Sequence, residues 1–453
     1  MVTIAELSRR VEAGFPRAVE VLEDLVRLPS ISAYPQEGDP LGRSAEYVAG
    51  RLHAVGVSDV AIVHGTLPDG TKGGPGVIGR IPGPAGSPTV LLYAHHDVQP
   101  VTSDWDTDPW QPVVKDGRLY GRGAADDGAG VVVHLAALAA LGSDLKVGLA
   151  VFIEGEEESG SPTFARLLAE HQDRLRADAV VVADSDNWSA DVPALSVSLR
   201  GVTSLTVTLR IAEHAVHSGM YGGPILDAPL LLARLIATLH NEAGDVAVAG
   251  LEPVGSTDFD YPAERVRDEV GLLPGVAFAG TGTLAQQLWH YPAIGLIGFD
   301  ATSVDLASNT IAPVARAELS LRIPPGADAV AAQAALIRHL EEHAPFGAHL
   351  EIVPGATGEG FVADVNGPAA SAYQVALEQA FGQPVALLGQ GGSIPLANEI
   401  VDVFPDIEVL LVGVEDQYSR AHSGNESVPL EMLRKAILAE AIFLARLGGT
   451  LDE

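Results

Sequence analysis

Six short stretches of the chain concentrate groups that can bind cations or move protons. YAHHDVQP places His95 directly after the apolar run Val90–Tyr93, with Asp97 two residues further on. LYGRGAADDGAG sets Asp126 and Asp127 in a glycine-punctuated segment just ahead of the helical run GVVVHLAALAAL. EGEEESGS brings Glu154, Glu156, Glu157 and Glu158 together after the apolar run Val147–Ile153, and DSDN offers Asp184 and Asp186 after Ala179–Ala183. Two histidine motifs complete the set, AVHSGMYGG around His217 and RAHSGNES around His422. Cysteine is absent, which removes thiolate nucleophiles, disulfides and Cys-ligated zinc at once. A metal in this chain would have to be held by histidines and carboxylates.

Each stretch also has a plain structural reading. Two aspartates at a helix start cap free N–H groups. An acidic loop can simply be solvated, and either histidine motif can be a surface turn. The glutamate cluster resists this reading most. Val147–Ile153 is apolar throughout, as in a central strand whose end faces a crevice, and like charges packed there need cations or solvent between them.

The elements that would position these residues follow from periodicity. Residues 3–27 read as a helix ending before Pro29, and strand-like runs occur at Thr89–Tyr93, Val147–Ile153 and Ala179–Ala183. Each run ends in one of the polar clusters, and open α/β sheets bind ligands at the C-terminal ends of their strands. After Arg200-Gly201 the texture changes to strand 203–211, helix 225–241, strands 294–297 and 315–323, helix 328–343 and strand 349–353. That order is the one found in a ferredoxin-like sandwich. The tail returns to α/β texture, with a helix at 369–381, the loop GQGGSIP, a strand near 408–412 and a last helix at 429–447. The expectation is an α/β catalytic domain formed by residues 1–201 and 363–453, with an inserted α+β domain at 202–362.

At 453 residues the chain exceeds one hydrophobic core, consistent with two or three domains. The net charge of −32 argues against nucleic acid, whose phosphates would be repelled. No run approaches the ~20 apolar residues of a membrane span. The charged, amphipathic N-terminal segment reads as a helix and not as a signal peptide, so a cytoplasmic location is expected.

Taken together, the motifs YAHHDVQP, LYGRGAADD, EGEEESGS, HSGMYGG, GGSIP and AHSGNE resemble, in type and order, one family across almost the whole chain. It is the co-catalytic zinc peptidase family of carnosinase, bacterial dipeptidases, acetylornithine deacetylase, succinyl-diaminopimelate desuccinylase and carboxypeptidase G. HHDVQP, GGSIP and AHSGNE look closest to the carnosinase and broad dipeptidase branch. The resemblance implies a catalytic domain with a mixed central sheet flanked by helices, and an inserted ferredoxin-like lid and dimerisation domain.

It also implies a site. His95 and Asp184 would bind one divalent metal and Glu158 and His422 another, with Asp126 bridging them; Asp186 is an alternative to Asp184. Glu157 would be the general base and Asp97 would orient His95 or the base. His217 would donate a hydrogen bond to the oxyanion in the active site of a second subunit, implying a homodimer. Arg322 would bind the substrate carboxylate, in a pocket lined by Gly392 and Ser393; its bland reading is a surface charge at a strand end. Two histidines and three carboxylates suit zinc, with manganese or cobalt possible. Metal ions about 3.5–4 Å apart can share and acidify a water, from which Glu157 would take a proton and pass it to the leaving amine.

Three positions depart from the family pattern. Gly128 stands where lysine is common, Ala94 where glycine is usual, and Gln390 where close relatives often have glutamate. A cis peptide is expected between Asp126 and Asp127. The leading reading is a dinuclear metal-dependent hydrolase of dipeptides or small peptide-like substrates. The alternatives are an N-acyl amino acid deacylase or desuccinylase, and a weak or inactive peptide-binding relative.

Overall fold

The computed structural model describes residues 1–102, 104–392 and 395–452. The chain divides into two units, the first made of Met1–Val197, Ala363–Leu388 and Leu396–Glu453, the second of Ser198–Val362 with Gly389–Pro395. The expected division fell at 202 and kept 389–395 with the tail. Here that segment groups with the second unit, where the Arg200 N–H donates to Gln390 O at 3.2 Å.

The first unit is built on a mixed sheet. Its four central strands, Glu408–Glu415, Ala179–Asp186, Thr89–His95 and Gly148–Glu154, run parallel in that spatial order. Antiparallel neighbours extend it: Ala194–Leu199 at one side, Lys72–Ile81 and then Ser58–Thr66 at the other. Thr89–His95 shows why apolar runs mark central strands. Val90, Leu92 and Ala94 face the main core, while Tyr93 turns its ring edge-on to Phe152 and Phe164. With both faces covered, every residue from Val90 to His95 is buried.

The helices Ile4–Val26, Gly128–Leu141, Pro368–Phe381 and Leu430–Leu447 pack together over that main core. Gly128–Leu141 lies in its middle and is apolar on nearly all sides, so almost all of its residues are buried. The hairpin Ser58–Thr66/Lys72–Ile81 was not anticipated from the sequence. Its turn and second strand carry DGTKGGPG, which reads locally as loop, and burial at Val77 and Ile78 overrides that composition.

The second unit contains a four-stranded antiparallel sheet in the order Ala293–Asp300, Val314–Ile323, Gly201–Arg210, His349–Gly358. With helices Ala228–Ala237 and Ala329–Glu342, this gives the strand–helix–strand–strand–helix–strand order of a ferredoxin-like sandwich. Leu205, Val207 and Leu209 alternate into a core shared with Leu319, Leu321, Leu232 and Leu336. No helix among the described residues is long and apolar enough to cross a membrane.

Candidate metal centre

Three parallel strands deliver their polar ends to one place. Tyr93 pairs with Val182, so His95 and Asp184, each two residues beyond, end level with each other. His95 itself pairs with Glu154, after which the chain turns into the segment holding Glu157 and Glu158. Asp126 arrives from the loop before the Gly128–Leu141 helix, joined to Asp127 by a cis peptide as the resemblance implied. His422 comes from the loop between Glu408–Glu415 and Leu430–Leu447, with its own backbone and those of Arg420 and Asn425 in the left-handed region.

Asp126 sits between the two histidines. Its Oδ1 lies 3.0 Å from His95 Nε2 and its Oδ2 lies 2.9 Å from His422 Nε2. Glu158 Oε2 is 3.0 Å from the same His422 nitrogen, and Asp184 Oδ2 is 3.9 Å from His95 Nε2. Two clusters of possible metal ligands result, His95 with Asp127 and Asp184, and Asp126 with Glu158 and His422. Asp186, the alternative to Asp184, is exposed at the end of its strand and belongs to neither. His96 turns the opposite way, its Nε2 lying 2.8 Å from Pro75 O.

The charges fit divalent cations. His95 Nδ1 lies 3.0 Å from Asp97 O and donates its proton there, while its buried Nε2 points at Asp126 Oδ1. Burial pushes Glu157 up to about 9; His95 opposes this, while Asp184, Glu158 and Asp126 add to it. Burial raises Asp184 to about 7. Burial works against ionisation of Asp126 too, but hydrogen bonding to His422 and His95 overrides it and holds that carboxyl well below its usual range. His422 is pushed up to about 10 by Asp126 and Glu158. Carboxylates crowded around two imidazoles are a donor set that cations relieve, and histidine with carboxylate suits zinc or manganese.

A second layer holds these groups in place. Asp97 accepts the backbone N–H of Glu157 at 3.2 Å through one oxygen and that of Glu158 at 3.0 Å through the other. Asp127 accepts the His95 N–H at 3.0 Å and the Gly130 N–H at 3.1 Å, so both of its oxygens serve backbone donors although it lies in the His95 cluster. Gln99 was not singled out in the sequence. Its Nε2–H donates to Glu158 Oε2 at 2.8 Å and its N–H to Oε1 at 3.1 Å. It belongs to the same HHDVQP stretch as His95, but only the fold shows what it touches.

The remaining expected residues lie in the second unit. His217 is exposed, and its Nδ1 accepts the Gly219 N–H at 3.0 Å, which leaves Nε2–H as a free donor. Arg322 pairs across the sheet with Val202 and Ala293, and no described carboxylate forms an ion pair with it. Arg200, also unanticipated, is buried near Arg322. Burial first, then Arg322, pushes its guanidinium down to about 10. Gly391 lies against it, with Arg200 Nε 3.4 Å from Gly391 O. Gly392 is exposed, and Ser393 lies outside the described residues.

The chain matches the family described as Peptidase family M20/M25/M40 over residues 91–446. It is 34% identical over 444 residues to a cysteinylglycine-S-conjugate dipeptidase of Corynebacterium striatum, covering 95% of this chain and 96% of that protein. It is 26% identical over 457 residues to a Beta-Ala-His dipeptidase of Rattus norvegicus, covering 94% and 92%. Its fold is similar to that of human carnosine dipeptidase 1, with a TM-score of 0.82, 24% identity and 99% of each chain covered.

Proposed function

We propose that this chain, which belongs to peptidase family M20/M25/M40 and is a metallopeptidase, hydrolyses the amide bond of dipeptides. In this reading His95 and Asp184 hold one divalent cation, Glu158 and His422 hold a second, and Asp126 is shared. Zinc is the metal expected first, with manganese or cobalt able to replace it. The observation that carries the reading is Asp126 offering one oxygen to the Nε2 of each histidine, with Glu158 on the same His422 nitrogen and Asp184 beside His95. Cations held there supply Lewis acidity towards a carbonyl oxygen and a water.

The protein's own groups do the rest. Glu157, free of side-chain bonds to its neighbours and backed by Asp97, accepts the proton of the attacking water and returns it to the leaving amine. His217, through Nε2–H, stabilises the oxyanion in the site of a second copy. Arg322 takes the substrate carboxylate in a bidentate fashion, with Gly392 and Ser393 lining that pocket. Arg200 adds a second positive charge on the same side of the unit.

A homodimer belongs to this proposal and is supported by the edge strand Ala293–Asp300, which exposes Leu296, Ile297 and Phe299. A cytoplasmic site of action is kept as part of the same reading.

The test is an assay of the Zn2+-loaded chain on dipeptides with free amino termini, alongside N-acetyl and N-succinyl amino acids. Turnover of the free dipeptides, lost on chelation and restored by metal, is expected. Turnover of the acylated compounds alone would sink the dipeptidase reading.

A further inference from the structure

Glu426, four residues after His422, is completely buried, and its carboxylate is spent on the loop that carries Asp126. Oε1 accepts the N–H of Ala125 at 2.9 Å and of Asp126 at 3.2 Å. Oε2 accepts the N–H of Gly123 at 3.1 Å and Nη1 of Arg122 at 2.6 Å. The Gly121 N–H donates to Glu426 O at 3.0 Å. Arg122 is 1% exposed, stacks its guanidinium against Trp105, and sends Nη2 to Ser423 O at 3.3 Å, the residue following His422.

The two loops are thus tied in both directions. A carboxylate from the His422 loop closes three amides of the Asp126 loop, which have no strand or helix partner to take them. A guanidinium from the Asp126 loop returns to a carbonyl beside His422. A buried ion pair is a weak source of net stability, since its Coulombic gain is offset by desolvation. Four hydrogen bonds converging on one carboxylate nonetheless leave little freedom in how the loops meet.

We infer that Glu426, with Arg122 as its counter-ion, is a positioning residue that sets the distance between Asp126 and His422 and thereby the metal affinity of the centre. The inference rests on the reading of Asp126 and His422 as cation ligands. Groups that orient ligands from behind typically carry about 10–100-fold in metal affinity.

The experiment compares the unaltered full-length chain with Glu426→Gln, which keeps the shape but cannot accept on both sides. Zn2+ affinity is measured by competition with a chromogenic chelator, together with the melting temperature of the metal-free protein and kcat and KM on a dipeptide. The expected result is Zn2+ affinity about 10–100-fold weaker, unchanged KM, and kcat that recovers as Zn2+ is raised. A lowered melting temperature with unaltered Zn2+ affinity would mean that Glu426 only fills the core, and would overturn the inference. If the unaltered chain itself binds no Zn2+, the reading of the site falls and takes this inference with it. Should Glu426→Gln fail to fold, Arg122→Lys is judged by the same criteria, because lysine keeps the charge but loses the planar fork that reaches Glu426 and Ser423 through separate nitrogens.

Discussion

His422 Nε2 and Asp126 Oδ2 stand 2.9 Å apart, although one belongs to a loop near the C-terminus and the other to a loop ahead of a central helix. In the metal-free chain this contact is an ion pair between a protonated imidazole and a carboxylate. In the proposed loaded enzyme both groups turn their lone pairs to a cation instead. The predictions below follow from that exchange and from the elements that enforce it.

Among the described residues of its segment, Glu157 is the carboxylate without a side-chain hydrogen bond, whereas Glu154, Glu156 and Glu158 each accept one. General bases typically contribute about 10²–10⁴-fold to rate. Glu157→Gln is expected to lower kcat by that order while zinc content, measured by elemental analysis, stays at the unaltered level. Retained turnover would remove Glu157 from its role.

The metal-free chain is expected to lose stability as pH rises. Burial lifts Asp184 to about 7, Glu154 to about 8 and Glu157 to about 9, and hydrogen bonds to Asp126 and Glu158 lift His422 to about 10. Each folded value lies above the ordinary one, 3.8 for Asp184, 4.5 for the two glutamates and 6.5 for His422. The stabilising contribution is therefore complete below the ordinary value and is lost as pH climbs through the folded one. The melting temperature of chelated protein is expected to fall between about pH 5 and pH 10, and that of Zn2+-loaded protein to fall less, because the cations take the place of protons. Calorimetry in two buffers of different ionisation enthalpy is expected to show proton release on Zn2+ binding near neutral pH. Absence of release would mean that His422 is neutral before metal arrives.

Gly128 leaves no room for a side chain. A Cβ there would lie 2.4 Å from Gly123 O and 2.9 Å from Leu22 Cδ1, and the Gly128 N–H already donates to Gly123 O at 3.0 Å. A side chain at this position, including the lysine expected from the resemblance, therefore cannot be fitted without moving this loop. Gly128→Ala is expected to cost about 1–3 kcal/mol of stability, as overpacking does, read from urea unfolding of the metal-free chain. An unchanged midpoint would show that the loop yields easily.

The edge strand Ala293–Asp300 exposes Ile297 at 65% and Leu296 at 49%. Ile297→Glu is expected to convert a dimer to a monomer in sedimentation experiments while leaving the fold of the second unit intact by circular dichroism. A chain that is monomeric before substitution would refute the dimer.

Much of the candidate site's geometry was legible because its signals are local. An apolar run followed by a polar cluster marks a buried strand with a polar end, and three such runs fall at His95, Glu154–Glu158 and Asp184. The ferredoxin-like order of the second unit was equally readable, since its strands alternate with period two and its helices have clear apolar faces. The hairpin 58–81 was missed because its glycines and proline mimic a loop, and the strand Ala194–Leu199 because it follows closely on another.

By itself the sequence determined which residue types were available for metal chemistry, that no thiol could take part, and which motifs belong to one family of peptidases. Only the tertiary structure decided how they meet. Strand register brings His95 level with Asp184, and loop geometry turns Asp126 towards both histidines. The supporting bonds from Gln99, Asp127, Arg200 and Glu426 appear only in space. The physical reason is that a ligand set is defined by distances between segments far apart in the chain, and those distances are set by sheet pairing and buried hydrogen bonds, not by neighbours in sequence.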